Sequence, residues 1–249
     1  MRSRNRAVWA EVNRAFTEHD ADQRWQAEEV RWGLFGRPES ELRVLGEVAG
    51  LDVIELGCGS AYLAAALARR GARPVGVDLS REQLQTARTC QTRSEVRFPL
   101  VEADAEQVPL RDASFDLAVS EYGAAPWCDP RWWLREAARL LRPGGRLVFL
   151  TNSVLAGLCV PAEGGVAGPL LLRAQRELRP VTWAGGGIEH HPGHGEWIDE
   201  LHRAGFVVDA LHELHAPDEA AGTPEYYEIV TAEWARRWPA DDLWVAHLP

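Results

Sequence analysis

Lysine is missing altogether: all 27 basic residues of the 249-residue chain are arginines. That absence excludes chemistry built on a lysine amine, whether a Schiff base with pyridoxal phosphate or the phosphate-binding lysine of a P-loop. Cysteine is scarce, and Cys58, Cys90, Cys128 and Cys159 stand too far apart for a CxxC redox or zinc pair or a radical-type iron–sulfur cluster. The four thiols are expected to be free, as in a reducing cytoplasm. No apolar run approaches the roughly eighteen residues needed to span a bilayer, and the first sixteen residues lack the apolar core of a secretion signal. A cytoplasmic protein without membrane partners is expected. Basic charge is also in deficit, with 37 acidic residues giving a net charge of −10. That balance disfavours nucleic acid and anionic membranes and suits small or cationic ligands.

What is present is an ordinary hydrophobic fraction of 46%, enough for one large α/β domain. Residues 1–47 read as two or three short helices, broken by Gly33, Gly36 and Pro38, that form an N-terminal helical lid on the core at 48–249. Trp25 and Trp32 could close over a ligand there, or could simply pack against the sheet. From residue 51, short apolar runs alternate with amphipathic stretches, as βαβ units require. Strands are expected at 52–56, 73–77, 96–101, 115–120, 146–150, 205–214 and 242–248. Helices are expected at 60–70, 80–92, 130–141, 196–204 and 226–237. Residues 153–193, rich in Gly and Pro, read as an insertion with one helix at about 169–178.

The chemistry-bearing segment is Val53-Ile54-Glu55-Leu56-Gly57-Cys58-Gly59-Ser60. Two glycines between a buried strand and a helix N-terminus let a ligand lie against backbone N–H groups. Asp78, at the end of the next strand, is placed to accept hydrogen bonds from ribose hydroxyls. A dinucleotide fingerprint would have a third glycine three residues after Gly59, and Tyr62 stands there. A pyrophosphate is therefore poorly accommodated, and a nicotinamide-dependent oxidoreductase is the weaker alternative.

With Val77-Asp78-Leu79-Ser80, Ala103-Asp104-Ala105-Glu106, Ser114-Phe115-Asp116 and Leu140-Leu141-Arg142-Pro143-Gly144-Gly145 following in order, the chain resembles the class I S-adenosylmethionine-dependent methyltransferases. The likeness is to their small-molecule branch, which includes quinone-type C-methyltransferases, and covers about residues 50–152. It implies a Rossmann-like three-layer α/β sandwich on a seven-stranded, mostly parallel sheet with an antiparallel last strand. It also implies S-adenosyl-L-methionine as cofactor and S-adenosyl-L-homocysteine as product. Carried over, Gly57 and Gly59 approach the methionine part and ribose, and Glu55 orients that loop or meets the amino group. Asp78 holds the ribose hydroxyls with Leu79 against adenine, Asp104 and Ala105 meet the adenine edge, and Ser120 lies near the methionine moiety.

Ligands of open α/β sheets sit beyond the carboxyl ends of the strands, which places Glu121, Tyr122 and Trp127 on the methyl-acceptor side. The run Ile188-Glu189-His190-His191-Pro192-Gly193-His194 concentrates imidazoles and a carboxylate. His190 or His191 is the expected proton acceptor, with Tyr122 as a positioning group; the plainer alternative is a solvated loop with one histidine capping the next helix. No metal is expected: HExxH is absent, and His191 and His194, though suitably spaced, lie in a Gly/Pro-rich loop that makes a poor ligand frame. The expected partner is a small-molecule methyl acceptor, not nucleic acid, with the protein a monomer or homodimer. A protein that binds the cofactor without catalysis is a further alternative, and a methyltransferase acting on a macromolecule a weaker one.

Overall fold

The computed structural model describes residues 4, 5, 7, 8, 18–223 and 228–249. The order of the main elements is α1 (Glu18–Gln26), β1 (Asp52–Leu56), α2 (Tyr62–Arg69), β2 (Arg73–Asp78), α3 (Arg81–Ser94), β3 (Leu100–Glu102), β4 (Phe115–Glu121) and α4 (Ala124–Trp127). There follow α5 (Pro130–Leu140), β5 (Leu141–Asn152), α6 (Val154–Cys159), α7 (His194–Arg203), β6 (Val207–Leu214), α8 (Ala232–Arg237) and β7 (Asp241–His247). The seven strands form one sheet in the order β3-β2-β1-β4-β5-β7-β6. β7 alone runs against its neighbours β5 and β6, so its first residues lie at the same edge as the carboxyl ends of the parallel strands.

Alternation along the strands sends side chains to two cores. Ile54, Leu56, Phe149 and Trp244 face Trp133, Leu134 and Trp197 of α5 and α7. Val53, Val119, Val148 and Leu243 face Leu63 and Leu67 of α2 together with Trp32, Leu45 and Val48. In the first core Phe149 meets Trp197 at 5.0 Å and stacks on Trp244 at 6.1 Å between ring centroids; each such pair adds about 1 kcal/mol beyond area burial. Local signals set the helix starts: the Ser80 and Asp129 side chains accept the N–H groups of Gln83 and Arg131, and Pro130 occupies the first turn of α5.

Several expected boundaries move, among them the start of the fifth strand, which lies at Leu141 rather than at 146. The third strand begins at Leu100 rather than at 96, because Pro99 has no N–H to give and contributes only its carbonyl, to Gly76 N–H at 3.0 Å. The helix expected at 169–178 reduces to a 3-10 turn at Gln175–Leu178. Leu170, Leu171 and Leu172 stand exposed, and the Leu172 N–H bonds across to Leu158 O instead of closing its own turn. The helix expected at 226–237 begins at Ala232 within the described residues, and 226 and 227 lie outside them. The insertion also holds a helix, α6, and a two-residue hairpin, Val181–Thr182 with Ile188–Glu189, that periodicity does not reveal. Trp25 and Trp32 are both buried: Trp25 donates its indole N–H to Ser60 O at 2.7 Å and stacks on Phe98, and Trp32 donates to Glu39 at 2.8 Å. Packing, not a free lid, describes both.

Candidate active site

The glycine turn after β1 is held by its neighbours before any ligand arrives. Gly57 has φ 73°, in the left-handed region that favours glycine, and its N–H and that of Cys58 both bond to Val77 O at the end of β2. A Cβ on Gly57 would lie 2.6 Å from the Gly123 Cα, and a Cβ on Gly123 would lie 2.4 Å from the carbonyl oxygens of Leu56 and Gly57. The loops after β1 and β4 therefore touch backbone to backbone. Gly59, at φ 53°, faces open space, with only the Gln83 amide at 3.7 Å.

Asp78 ties the second strand to this turn. One carboxylate oxygen accepts the Gly59 N–H and the other the Ser80 N–H, both at 2.7 Å. Each oxygen keeps a further lone pair, the capacity two ribose hydroxyls would use. Burial raises the Asp78 pKa, against the pull of the backbone N–H groups. Leu79, partly buried, follows it. Glu55 is buried and accepts the Ala64 N–H at 2.9 Å, capping the first turn of α2, which has no side-chain cap of its own. Burial, then the charges of Glu121 and Asp78, push its carboxyl well above the usual range. Glu121 itself is raised to about 7 by burial, with Arg24 of α1 opposing the shift; the Arg24 guanidinium lies 5.1 Å from the Tyr62 ring centroid.

This edge suits a cationic, phosphate-free nucleoside: three carboxylates converge on a glycine turn whose third-glycine position is Tyr62. Asp104 and Ala105 sit beyond β3, Asp104 accepting the Glu106 N–H and Ala105 buried in the core. Ser120 has a different task from the one its position suggests. Fully buried, it donates to Leu56 O at 2.7 Å and accepts the Ala124 N–H at 2.8 Å, so both partners of its hydroxyl are backbone and it braces the turn.

A second region begins one residue after Glu121. Tyr122, held at φ 49°, donates its hydroxyl to Asp241 at the start of β7. Asp241 also accepts the Leu34 N–H at 2.9 Å, and burial raises its pKa to about 7. Tyr122, Pro126, Trp127, Asn152, Trp183 and His191 are among the residues around a cavity of about 360 Å3, mostly apolar in its walls. His191 is 3% exposed and its Nε2 meets Glu189 Oε2 at 2.7 Å, while the Trp183 indole N–H donates to the same oxygen at 2.8 Å. Its Nδ1 is buried without a hydrogen-bond partner. With Glu189 ionised, Nε2 carries the proton and Nδ1 keeps a lone pair.

His190 does not share this place. It is buried away from the cavity lining, its N–H bonded to Pro126 O at 2.7 Å, and burial lowers its pKa while Asp129 pulls it up. His191 and His194 do not converge as a ligand pair, since His194 pairs with Asp242 at 2.9 Å. Glu189 is legible in the sequence only as a carboxylate among the histidines, and the residues that sequence reasoning missed are Gly123, Asp241 and Asn5. The last uses its amide to hold the Ile188 backbone and the Trp127 carbonyl together. Of these only Gly123 had a visible signal, a glycine just after a strand. A more open depression of about 600 Å3 lies at the opposite edge, where Asp52, Arg73 and Arg142 already pair with one another.

Comparison with known proteins agrees with this geometry. Residues 54–149 match the family model described as a methyltransferase domain. The chain is 31% identical over 197 residues to a ubiquinone/menaquinone biosynthesis C-methyltransferase of Syntrophotalea carbinolica, covering 74% of this chain and 76% of that protein. It is 37% identical over 107 residues to a demethylmenaquinone methyltransferase of Clavibacter sepedonicus, a match spanning 43% of each. An S-adenosylmethionine-dependent methyltransferase structure from Mesorhizobium loti superposes with a TM-score of 0.65 at 29% identity, over 86% of this chain and all of that one. The chain belongs to the S-adenosylmethionine-dependent methyltransferases.

Proposed function

We propose that this protein transfers the methyl group of S-adenosylmethionine to an oxygen, nitrogen or carbon nucleophile of a small, largely apolar molecule. The observation that carries the reading is the cavity of about 360 Å3 that adjoins Tyr122, directly beyond the glycine turn, with Trp127 and Trp183 in its wall and few polar groups. Two relatives, named as a demethylmenaquinone methyltransferase and a ubiquinone/menaquinone biosynthesis C-methyltransferase, support a small, apolar acceptor. The acidic balance supports a small-molecule partner over nucleic acid, and among the described residues no helix is long and apolar enough to cross a membrane. The protein acts in the cytoplasm, as a monomer or homodimer.

When bound, the cofactor supplies a methyl carbon already activated by its sulfonium. Gly59 leaves room for its methionine and ribose parts beside the turn that Gly57 closes against Gly123, Asp78 holds the ribose hydroxyls with Leu79 against adenine, and Asp104 and Ala105 border the adenine. Glu121, whose carboxyl is raised to about 7 by burial, is the group poised to ionise beside a sulfonium, while Glu55, held well above the usual range, braces the start of α2 through the Ala64 N–H. The chain's main task is alignment and exclusion of water, and orientation alone is worth about 7–11 kcal/mol. His191, its tautomer set by Glu189, takes the acceptor's proton at Nδ1, and Tyr122, braced by Asp241, positions the acceptor. His190 supports the loop rather than the reaction.

The test incubates purified protein with methyl-labelled S-adenosylmethionine and a small-molecule extract. Label is expected in a low-molecular-weight apolar product, with S-adenosylhomocysteine formed in equal amount. Cofactor binding without any transfer would leave a binding protein, and binding of a pyridine dinucleotide in its place would overturn the reading altogether.

A further inference from the structure

A second cluster of chemistry-bearing side chains lies outside the acceptor cavity, where β6 and β7 pair beside the start of α7. The antiparallel register sets Glu213 directly opposite Asp242, so the two carboxylates share one face of the sheet. Like charges so placed cost stability unless a cation lies between them. The cost is sharpened by burial, because Asp242 is 1% exposed and Glu213 faces solvent. His194, the first residue of α7, reaches across and meets Asp242 Oδ2 with its Nε2 at 2.9 Å. Its ring is set edge-on to Trp244, 5.9 Å between centroids.

Two further observations distinguish this cluster from an ordinary surface ion pair. One ligand atom from each of His194, Glu213 and Asp242 lies within 4.8 Å of the other two, and no other such group of three occurs among the described residues. Asp242 Oδ1 is buried with no hydrogen bond of acceptable geometry, although the Val154 backbone N–H acts on the carboxylate and lowers its pKa against the effect of burial. A buried carboxylate oxygen left unpaired in a native fold is costly and calls for a ligand.

We propose that His194, Glu213 and Asp242 form a divalent-cation site of the zinc type. One imidazole nitrogen with two carboxylates suits zinc or a similar borderline ion better than calcium or magnesium, which take oxygen ligands throughout. The frame is stiff where it matters, with two ligands on paired strands and the third at a helix start fastened by Gly193 N–H to Glu196 at 2.9 Å. A bound ion fastens the start of α7 to the sheet and fixes the short segment from Glu189 to His194 that carries His191 to the cavity. The site stands independently of the methyl-transfer reading.

Isothermal titration of the chelator-stripped full chain with zinc chloride tests it, alongside thermal melting. One zinc ion per chain is expected, with a rise in melting temperature. Glu213→Gln, an exposed change that leaves the fold intact, and His194→Ala should each weaken binding by about 100-fold or more and abolish the thermal rise. Absence of saturable zinc binding, or undiminished binding in both variants, overturns the proposal.

Discussion

The glycine-turn half of this molecule, where the cofactor is proposed to bind, and the cavity half, where the acceptor is, are built on different principles. Around β1 and β2 the site is backbone: Gly57, Gly59 and Gly123 set the shape, and Asp78, Glu55 and Ser120 spend their polar atoms on main-chain groups. Around the cavity the site is side chains on an insertion, Trp183, Glu189 and His191, together with Tyr122, which Asp241 braces from behind the lining. A site made of backbone is common to every chain that binds the same nucleoside, whereas one made of side chains on an insertion can change with the acceptor. The difference predicts that damage to the first half removes the fold and the cofactor together, while damage to the second removes turnover alone.

The sharpest break is Gly123→Ala. The added methyl lands 2.4 Å from two backbone oxygens that cannot swing away, so a destabilisation above about 4 kcal/mol is expected, with cofactor binding lost. Denaturant unfolding and cofactor titration measure it, and a variant that melts like wild type would show that the two loops are not locked together. Next is His191→Ala, expected to slow label transfer by about 100- to 10,000-fold while cofactor affinity stays within about twofold. His190→Ala is expected to change stability more than turnover, because its ring lies outside the cavity; the reverse result would exchange their roles.

Asp78→Asn falls between the two halves in effect. It removes a charged acceptor from the Gly59 and Ser80 N–H groups and, on the proposed reading, from the cofactor ribose, and a hydrogen bond to a charged group is worth about 1.5–3 kcal/mol. Cofactor affinity should fall by about 10- to 100-fold by calorimetry, with a much smaller change in melting temperature. An equal loss in both would make Asp78 a brace only.

The same contrast explains what could be read from the sequence. Glu55, Gly57, Gly59 and Asp78 fall within five residues of the ends of their own strands, so local spacing carries their geometry, and all seven strands of the sheet were legible from alternation and glycine turns. Asp241 and Asn5 reach Tyr122 and Trp127 across more than a hundred residues, and no local pattern encodes such a meeting. The start of β7 was expected one residue late, which hid Asp241 among the turn residues. In the insertion the apolar run at 170–172 resembled a helix face, but its backbone was satisfied by α6 rather than by its own turn. Tertiary contact decided there, and propensity could not see it.

The smallest effect tests whether charge, as well as shape, distinguishes the cofactor half. Glu121 titrates near 7 instead of at its ordinary 4.5, with burial the main cause. A carboxyl whose folded pKa is raised binds more protons folded than unfolded between those values, so its contribution makes the ligand-free protein less stable as pH rises from about 4.5 to 7. A sulfonium beside it favours the ionised form and draws the pKa back down. Cofactor binding at pH 7 should therefore release a fraction of a proton, and affinity should rise between pH 6 and 8 by at most about tenfold per unit. Calorimetry in two buffers of different ionisation enthalpy reads the proton directly, and Glu121→Gln should flatten both trends. Buffer-independent heats in the wild type would mean that Glu121 does not face the sulfonium.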